Sequence, residues 1–202
     1  MEHVIFTIGR QFGAGGRAVA ALIGDKLGIP VYDNSLLTEA AKEYGYSPDI
    51  FKKRDEKHHL FGLSRLFSSN AYNADNYMGD NMLFQMQSQA IMEIAAKGPC
   101  VIIGRCADYI LRDHSKLVSV FLTAPMDVRV ERVVRRLQVD AKTAEKIINR
   151  KENNRKEYYN GYTLGNWGDS STYKMCINTS AIGMEETADL IIEFARKAGY
   201  LE

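Results

Sequence analysis

The sequence predicts an α/β protein in which a parallel five-stranded sheet carries helices on both faces. Short apolar runs alternate with segments of helical periodicity, an order typical of parallel sheets built from βαβ units. One run, Cys100–Ile103, is apolar throughout, which is typical of a strand buried on both sides. A glycine-rich stretch directly follows the first run, where a strand would pass into a helix. The predicted strands lie near residues 4–8, 30–32, 100–103, 117–122 and 175–178.

Composition limits the class of protein. The 202 residues are 46% apolar and 25% charged, which suits a single globular domain over residues 1–202. A net charge of +1 argues against general attraction to nucleic acid or membranes, and no apolar stretch is long enough to span a bilayer. The three cysteines lack metal-ligand spacing, so we expect buried free thiols. Because the first strand follows the N-terminus without a signal-peptide pattern, we expect a cytoplasmic protein.

The stretch from Thr7 to Arg17 carries the strongest functional signal. A predicted strand enters it and a helical pattern leaves it. Strand, glycine loop and helix form a phosphate site, because glycines let successive N–H groups face one anion. The helix N-terminus adds about half a positive charge at the same place. We therefore predict that phosphate is held by Arg10, Gly13, Ala14, Gly15, Gly16 and Arg17.

This loop departs from the regular phosphate-binding pattern, Gly-x-x-x-x-Gly-Lys-Ser/Thr. When the two are aligned on Gly13–Gly15, Gly16 takes the lysine position and Arg17 takes the hydroxyl position. Arg10 and Arg17 are the nearest residues that can supply the missing positive charge. The hydroxyl that binds Mg²⁺ has no evident replacement, so the metal ligands are left unassigned.

Two other interpretations of the loop stay open. Residues Gly13–Ala18 also match the dinucleotide fingerprint G-x-G-x-x-G/A, and Asp33 lies about 20 residues further on. In that fold, however, the first glycine closes the strand directly, whereas Gly9–Phe12 intervene here. The third interpretation is a glycine-rich turn that binds no ligand.

Two charged residues follow predicted strands, at the edge where open α/β sheets bind ligands. Asp33 comes after the short strand near 30–32, and Arg105 comes after the buried strand that ends at Ile103. Arg105 is well placed for a phosphate, which a guanidinium grips with two parallel hydrogen bonds. The alternatives are a helix N-cap for Asp33 and a salt bridge to Asp108 or Asp33 for Arg105.

Residues from about 45 to 80 are less regular and form a predicted insert. The mixed-charge run Lys52–His59 is typical of a solvated helix face, and its two adjacent histidines would diverge on a helix rather than bind one metal. Ser68–Asn81 is rich in Asn, Asp, Ser and Tyr and predicts a mobile loop. The insert is interpreted as a segment that covers the substrate or, equally, as a loop for contacts between subunits.

A lid is predicted over about 129–160, where arginines concentrate. Arg132 and Arg136 are four residues apart and share a helix face, and Asp140 is the predicted N-cap of the next helix. The alternative is a solvated surface whose arginines pair with neighbouring glutamates. Beyond the lid, the aromatic and glycine-rich segment Tyr158–Tyr173 predicts an ordered loop. The arginines are Arg129, Arg132, Arg135, Arg136, Arg150 and Arg155.

Taken together, these motifs resemble the cytidylate kinase-like family of P-loop nucleoside monophosphate kinases. The resemblance covers nearly the whole chain except about 45–80. It implies a three-layer P-loop NTPase-type fold with a helical lid, ATP as donor with Mg²⁺, and CMP or dCMP as acceptor. The matching segments are Ile8–Arg17, Tyr32–Asp33, Ile103–Arg105, Phe121–Ala124, the arginine helix that ends at Arg136, Trp167–Asp169 and Ile177–Ser180.

The resemblance also implies roles for particular arginines. Arg105 corresponds to the arginine of a Gly-Arg-Asp motif that reaches the acceptor phosphate, with Cys106 in place of the aspartate. Arg132 and Arg136 match lid arginines. Arg150 matches the arginine of an Arg-Asp-x-x-Asp segment, although Lys and Asn stand at the two aspartate positions.

The resulting hypothesis is a nucleoside monophosphate kinase that acts on small-molecule nucleotides. Arg17, Arg132 and Arg136 are its predicted catalytic residues. An alternative is a nucleotide-binding regulatory protein with little or no activity, which the missing Lys and Ser/Thr favour; a dinucleotide-binding protein is a third. The acceptor is predicted to lie against Asp33, Arg105, Arg150 and Arg155.

Overall fold

A computed structural model describes residues 3–33 and 74–202 and contains the predicted parallel sheet. The strand order is β2-β3-β1-β4-β5, and every neighbouring pair is parallel. The glycine-rich loop therefore leaves the middle strand of the sheet. The strands are β1 (Ile5–Arg10), β2 (Val31–Tyr32), β3 (Cys100–Ile103), β4 (Leu117–Thr123) and β5 (Met175–Asn178), which confirms the five predicted positions.

Helices connect the strands, and two of their ends have clear capping residues. The first helix ends at Gly28, whose φ of 64° is the left-handed conformation that glycine adopts at low cost. Asp140 caps the long lid helix by accepting a hydrogen bond from the Thr143 amide at 2.9 Å. The helices are α1 (Gly16–Leu27), α2 (Ala74–Lys97), α3 (Ala107–Ile110), α4 (Met126–Leu137), α5 (Ala141–Tyr162), α6 (Thr179–Ile182) and α7 (Met184–Lys197).

The sheet is buried on both faces. Helices α1 and α7 cover one face, where Phe6 and Ile8 of β1 contact apolar side chains such as Ile23 and Ile191. The other face is also shielded from solvent, since Ile5 of β1 is fully buried. Helices α4 and α5 form a smaller core of their own around Val133, Ala144 and Ile148, with Phe12 of the glycine-rich loop packed against it. This second core fixes α4 and α5 to the loop.

The chain divides into two compact units, one of residues 1–33 and 94–202 and the other of residues 34–93. The first contains the sheet and every site residue discussed below. Most of α2 belongs to the second. The helix predicted after Asp33 and most of the predicted insert lie outside the described residues. Within the part that is described, no helix combines the length and apolar character needed to cross a membrane.

Three local predictions were wrong. The loop predicted for Ser68–Asn81 is helical from Ala74, because extending an established helix costs little even through Asn and Asp. Helix α5 likewise continues into the aromatic segment as far as Tyr162, since Tyr159 is buried and packs the last turn in place. Cys100 and Cys106 are buried as expected, whereas Cys176 on the edge strand β5 is exposed.

Candidate functional site

The candidate site lies along the carboxyl edge of the sheet. Because all five strands are parallel, the residues that follow them meet at this one edge. The glycine-rich loop follows β1, Asp33 follows β2, and Arg105 follows β3. Thr179 comes directly after β5. Residues far apart in sequence thus face the loop from neighbouring strands.

Three successive carbonyl groups of the glycine-rich loop accept hydrogen bonds from side chains. The Phe12 carbonyl accepts from Arg129 Nη1 at 3.4 Å, and that of Gly13 accepts from Arg132 Nη1 at 3.3 Å. The Ala14 carbonyl accepts from the buried hydroxyl of Thr179 at 2.9 Å. In a trans peptide the N–H points opposite to the C=O, so the amides of Gly13 and Gly15 face away from these donors. The loop is therefore held as an amide-lined concavity of the kind that binds anions.

The loop glycines are required by close packing as well as by backbone conformation. Gly13 has a φ of 89°, and a Cβ there would lie 3.2 Å or less from the Arg129 backbone. Gly15 has a φ of 83°, and a Cβ there would lie 2.6 Å from the Met184 side chain. A side chain at Gly13 would push the loop away from the backbone of helix α4, whereas at Gly15 the left-handed φ is the stronger constraint because the Met184 side chain can move.

A buried ion pair ties the loop to both lid helices. Arg129 of α4 is 5% exposed, and its Nη1 lies 2.6 Å from Oε1 of Glu152 on α5. Its Nε donates to the Ala124 carbonyl at 2.9 Å. The same Glu152 oxygen accepts from the Phe12 amide at 3.0 Å. Arg129 therefore serves as a structural cation, with its charge balanced inside the fold.

Arg10, at the end of β1, extends its side chain across the loop toward β3. A Cβ at Gly16 would lie 2.8 Å from its Cγ, and a Cβ at Gly104 would lie 2.2 Å from its Nη1. Burial lowers the pKa of Arg10, and the positive charges of Arg155, Arg105 and Arg17 lower it further. Its aliphatic part thus occupies the space beside Gly16, at the lysine position of a regular loop. Its guanidinium lies among other cations.

Arg155 and Arg136 complete the cationic group from the lid. Arg155 of α5 donates from Nη1 to the Arg10 carbonyl at 2.9 Å. Burial lowers its pKa; Glu152 opposes this, whereas Arg17, Arg136 and Arg105 add to it. The guanidinium carbons of Arg136 and Arg155 lie 4.9 and 5.3 Å from the centre of the Phe12 ring. We call Arg10, Arg17, Arg105, Arg136 and Arg155 the guanidinium cluster.

Arg105 is presented by an unusual turn. Gly104, Arg105 and Cys106 have successive φ values of 71°, 59° and 55°, and the last two are not glycine. Left-handed conformations of such residues cost energy and are concentrated at functional sites. The Arg105 guanidinium carbon lies 5.7 Å from the centre of the Tyr158 ring. The buried Cys106 thiol has its pKa raised to about 12 by burial, so the position carries no charge at neutral pH.

Arg17 and Asp33 form an ion pair beside the loop. Nη2 of Arg17 lies 3.1 Å from Oδ2 of Asp33, with 67% and 37% of the two side chains exposed. An ion pair at this exposure contributes little stability and opens readily. Asp33 is therefore close to the cluster, where its charge raises the pKa of Arg10 against the other influences.

The structure separates the predicted site residues into three groups. Arg10, Arg17, Arg105, Arg136 and Arg155 come together over the loop, with Asp33 at their margin. Arg132 lies beneath the loop, where it also donates to the Thr179 hydroxyl at 3.0 Å. Arg150 is exposed on α5, and no contact places it with the cluster in the described part of the chain.

Sequence reasoning did not identify the residues that hold the loop from behind. Thr179 has no predicted role, although its place directly after β5 puts it at the ligand edge. Gln11 was not noted at all. The side-chain Oε1 of Gln11 accepts from the Ala124 backbone amide at 3.2 Å. The backbone amide of Gln11 donates to the Leu122 carbonyl at 2.9 Å.

The predicted use of Mg²⁺ finds no preformed ligand set here. Among residues 3–33 and 74–202, no three His, Cys, Asp or Glu side chains come together as they would around a metal ion. The loop position that regularly supplies a metal-binding hydroxyl holds Arg17, and the nearby Thr179 hydroxyl is engaged with the loop backbone. The donor set of these residues therefore fits an anion better than a cation.

Comparison with known proteins identifies the family and the fold. The Cytidylate kinase-like family matches residues 5–181. A cytidylate kinase of Methanococcus aeolicus is 31% identical over 192 residues, which cover 93% of this chain and 95% of that protein. The crystal structure of an uncharacterized protein from Eubacterium ventriosum has a TM-score of 0.74 and 30% identity, covering 96% of this chain and 99% of the other.

The fold extends to more distant kinases. Shikimate kinase from Acinetobacter baumannii has a TM-score of 0.53 at 16% identity, covering 98% of this chain and 94% of that one. At this identity the likeness concerns the fold alone, which is the predicted α/β fold of P-loop kinases. The family match spans more than half of the chain, and it includes the loop, the turn at Arg105 and both lid helices. The chain belongs to the cytidylate kinase-like family.

Proposed function

We propose that this protein transfers the γ-phosphoryl group of ATP to a nucleoside monophosphate, with CMP or dCMP as the preferred acceptor. The observation that carries the proposal is the guanidinium cluster over an amide-lined loop. In phosphoryl transfer the protein mainly brings two anions into line and stabilises the charge that is shared between them. Guanidinium groups that converge from β1, α1, β3 and the lid suit that task.

The loop and the cluster divide the work between donor and acceptor. The amides of the loop and the N-terminus of α1 would hold the donor phosphates, and no acidic residue in the first turn of α1 opposes them. Arg10 lies beside the loop and would provide the charge that lysine provides elsewhere. Arg105 and Arg155 approach from β3 and α5 and would hold the acceptor phosphate. Arg136 would bridge the two phosphates from the lid, which also excludes water from the transfer.

Preference for a cytosine base is supported by the relatives rather than by the described contacts. Curated relatives named cytidylate kinase match most of this chain at 26–31% identity. The chain departs from the Gly-Arg-Asp and Arg-Asp-x-x-Asp motifs at the acceptor side, where it has Cys106, Lys151 and Asn154. We therefore expect the enzyme to discriminate weakly between nucleotide bases. The cytoplasmic location expected from the sequence stays a prediction.

The proposal is tested by product formation from ATP with CMP, dCMP, UMP, AMP or GMP. We expect turnover with at least one pyrimidine monophosphate and a loss on the order of 10³ in the rate of Arg136→Ala, as for arginine fingers. Arg135→Ala is the matched control, because Arg135 is the adjacent residue of α4 but is exposed and paired with Glu131. Equal rates for Arg136→Ala and Arg135→Ala would remove Arg136 from the mechanism.

One observation favours a second function, that of a nucleotide-binding regulatory protein. The loop lacks both the lysine and the hydroxyl residue of the regular pattern. In that case ATP would raise the melting temperature, because a ligand at 100 times its Kd stabilises a protein by about 2.7 kcal/mol. No monophosphate would then be phosphorylated.

A further inference from the structure

We infer that the loop binds polyphosphate in its metal-free form and that Arg17 takes the place of a protein-held Mg²⁺. The inference rests on the proposed function in one respect, that the glycine-rich loop is the polyphosphate site. It concerns the charge that meets the phosphates there. The position at which a regular loop presents a hydroxyl to the metal presents a guanidinium instead.

Among the described residues, three carboxylates near the loop or the β3 turn each have a partner. Oδ2 of Asp33 lies 3.1 Å from Nη2 of Arg17, and Oε1 of Glu152 lies 2.6 Å from Nη1 of Arg129. Oδ2 of Asp108, near the β3 turn, accepts from the Tyr159 hydroxyl at 2.7 Å. Mg²⁺ requires oxygen ligands in nearly octahedral order, and it is usually anchored by one or two carboxylates or a loop hydroxyl. Asp33 could anchor it only by giving up Arg17, whose guanidinium would then lie beside the metal ion.

The Thr179 hydroxyl points into the fold. Thr179 Oγ1 donates to the Ala14 carbonyl at 2.9 Å and receives Arg132 Nη1 at 3.0 Å. Both contacts lie on the carbonyl side of the loop, opposite to the amides of Gly13 and Gly15. Thr179 is fully buried and therefore cannot reach a metal on the phosphate side.

The positive charge of the guanidinium cluster also favours a metal-free anion. Arg10 and Arg155 both have a lowered pKa because they are half-buried beside each other and beside Arg17 and Arg105. A bound polyanion relieves this repulsion. Mg²⁺ on the polyphosphate would cancel two of the negative charges that relieve it and would bring a further cation among the guanidinium groups. The metal-free anion is therefore the better match.

The test measures the affinity of inorganic tripolyphosphate by titration calorimetry, once in EDTA and once with saturating MgCl₂ at matched ionic strength. Because the probe carries no nucleoside, it does not depend on which nucleotide is the donor. We expect wild-type protein to bind the metal-free anion at least about tenfold more tightly, the equivalent of one charge-assisted hydrogen bond. Equal or tighter binding of the magnesium complex would overturn the inference.

Two variants assign the effect to Arg17. Arg17→Thr restores the hydroxyl of the regular loop and frees Asp33, so we expect the metal-free preference to disappear or reverse. Arg17→Ala removes the guanidinium without adding a ligand, so it should weaken metal-free binding without improving binding of the magnesium complex. Arg135→Ala controls for the loss of one surface arginine. An unchanged preference in Arg17→Thr would show that Arg17 is not responsible.

Failure of this inference is distinguishable from failure of the proposed activity. If tripolyphosphate binds more tightly without Mg²⁺ while no monophosphate is phosphorylated with ATP, the inference stands and the kinase proposal falls. If a monophosphate is phosphorylated while tripolyphosphate binds better with Mg²⁺, or does not bind, the kinase proposal stands and the inference falls.

Discussion

The arginines beneath the glycine-rich loop and those above it differ in the groups that surround their positive charge. Beneath the loop, Arg129 and Arg132 donate to backbone carbonyls, to Glu152 and to Thr179. Above it, Arg10 and Arg155 are placed beside other cations, and the pKa of each is lowered. The first pair holds the loop together. The second pair raises the energy of the empty site and is stabilised when an anion binds.

This difference shows that residue type alone does not define a role. Four of the arginines involved come from the lid helices, and Arg129, Arg132 and Arg136 follow one another on α4. Arg129 is buried with its counter-charge, whereas Arg136 is exposed over the Phe12 ring. The partners of each guanidinium, rather than its position in an arginine-rich segment, separate structural support from ligand binding.

The largest effect is expected where the charge beneath the loop is most fully balanced. Arg129→Ala leaves the mostly buried Glu152 without its cation and removes the hydrogen bonds to the Phe12 and Ala124 carbonyls, so we expect a loss of about 3–5 kcal/mol in the free energy of unfolding. Chemical denaturation measures this loss. Arg135→Ala on the same helix breaks an exposed pair with Glu131 and should change stability by about 0.5 kcal/mol or less. Similar losses in the two variants would contradict the assignment of Arg129 as a structural cation.

A smaller effect is expected for Arg132, which is linked to the loop through Thr179. Arg132→Ala should cost about 2 kcal/mol, because two acceptors lose a charged donor. Thr179→Val removes the hydroxyl that connects Arg132 with the Ala14 carbonyl, so the two substitutions should not be additive. We expect a coupling energy of about 1 kcal/mol in a double-mutant cycle followed by denaturation. Additive losses would show that Arg132 and Thr179 support the loop independently.

The fold could be predicted from the sequence because strand, loop and helix signals are local. The apolar run of β3 indicates a strand, and the glycine at the end of α1 indicates a helix end. Each signal lies within a few residues. The glycine-rich loop was also recognisable from local spacing, although that spacing left a dinucleotide site and a ligand-free turn open as alternatives. Helix ends were less predictable, as at Ala74 and Tyr162, because neighbouring turns and tertiary packing override weak local preferences.

The support of the site could not be predicted in the same way. Arg129 and Arg136 look alike in sequence, and only the position of Glu152 on the next helix separates them. Thr179 reaches the Ala14 carbonyl across a sequence separation of 165 residues. The left-handed turn begins at Gly104, but nothing in the sequence indicates that Arg105 and Cys106 continue it. Each of these features depends on contacts between distant segments, which residue spacing does not encode.

The smallest effect, and the one that distinguishes the two sets of arginines most directly, is expected for Arg10→Met. Methionine keeps the aliphatic contact with Gly16 but removes a half-buried charge from among Arg155, Arg105 and Arg17. Replacing buried ionic groups with apolar ones is often stabilising by about 1 kcal/mol or more, so we expect a rise in the free energy of unfolding of about 1 kcal/mol without ligand.

With tripolyphosphate present, the order should reverse. Wild-type protein gains stability in proportion to its binding, whereas Arg10→Met lacks the guanidinium nearest the lysine position of the loop and should gain far less. Thermal denaturation with and without the anion measures both the stability of the free protein and the gain in stability on binding. A variant that is less stable than wild type in the absence of anion would mean that Arg10 supports the fold, as Arg129 does. A variant that is more stable alone and less stable with the anion is the outcome that a cation held for a ligand requires.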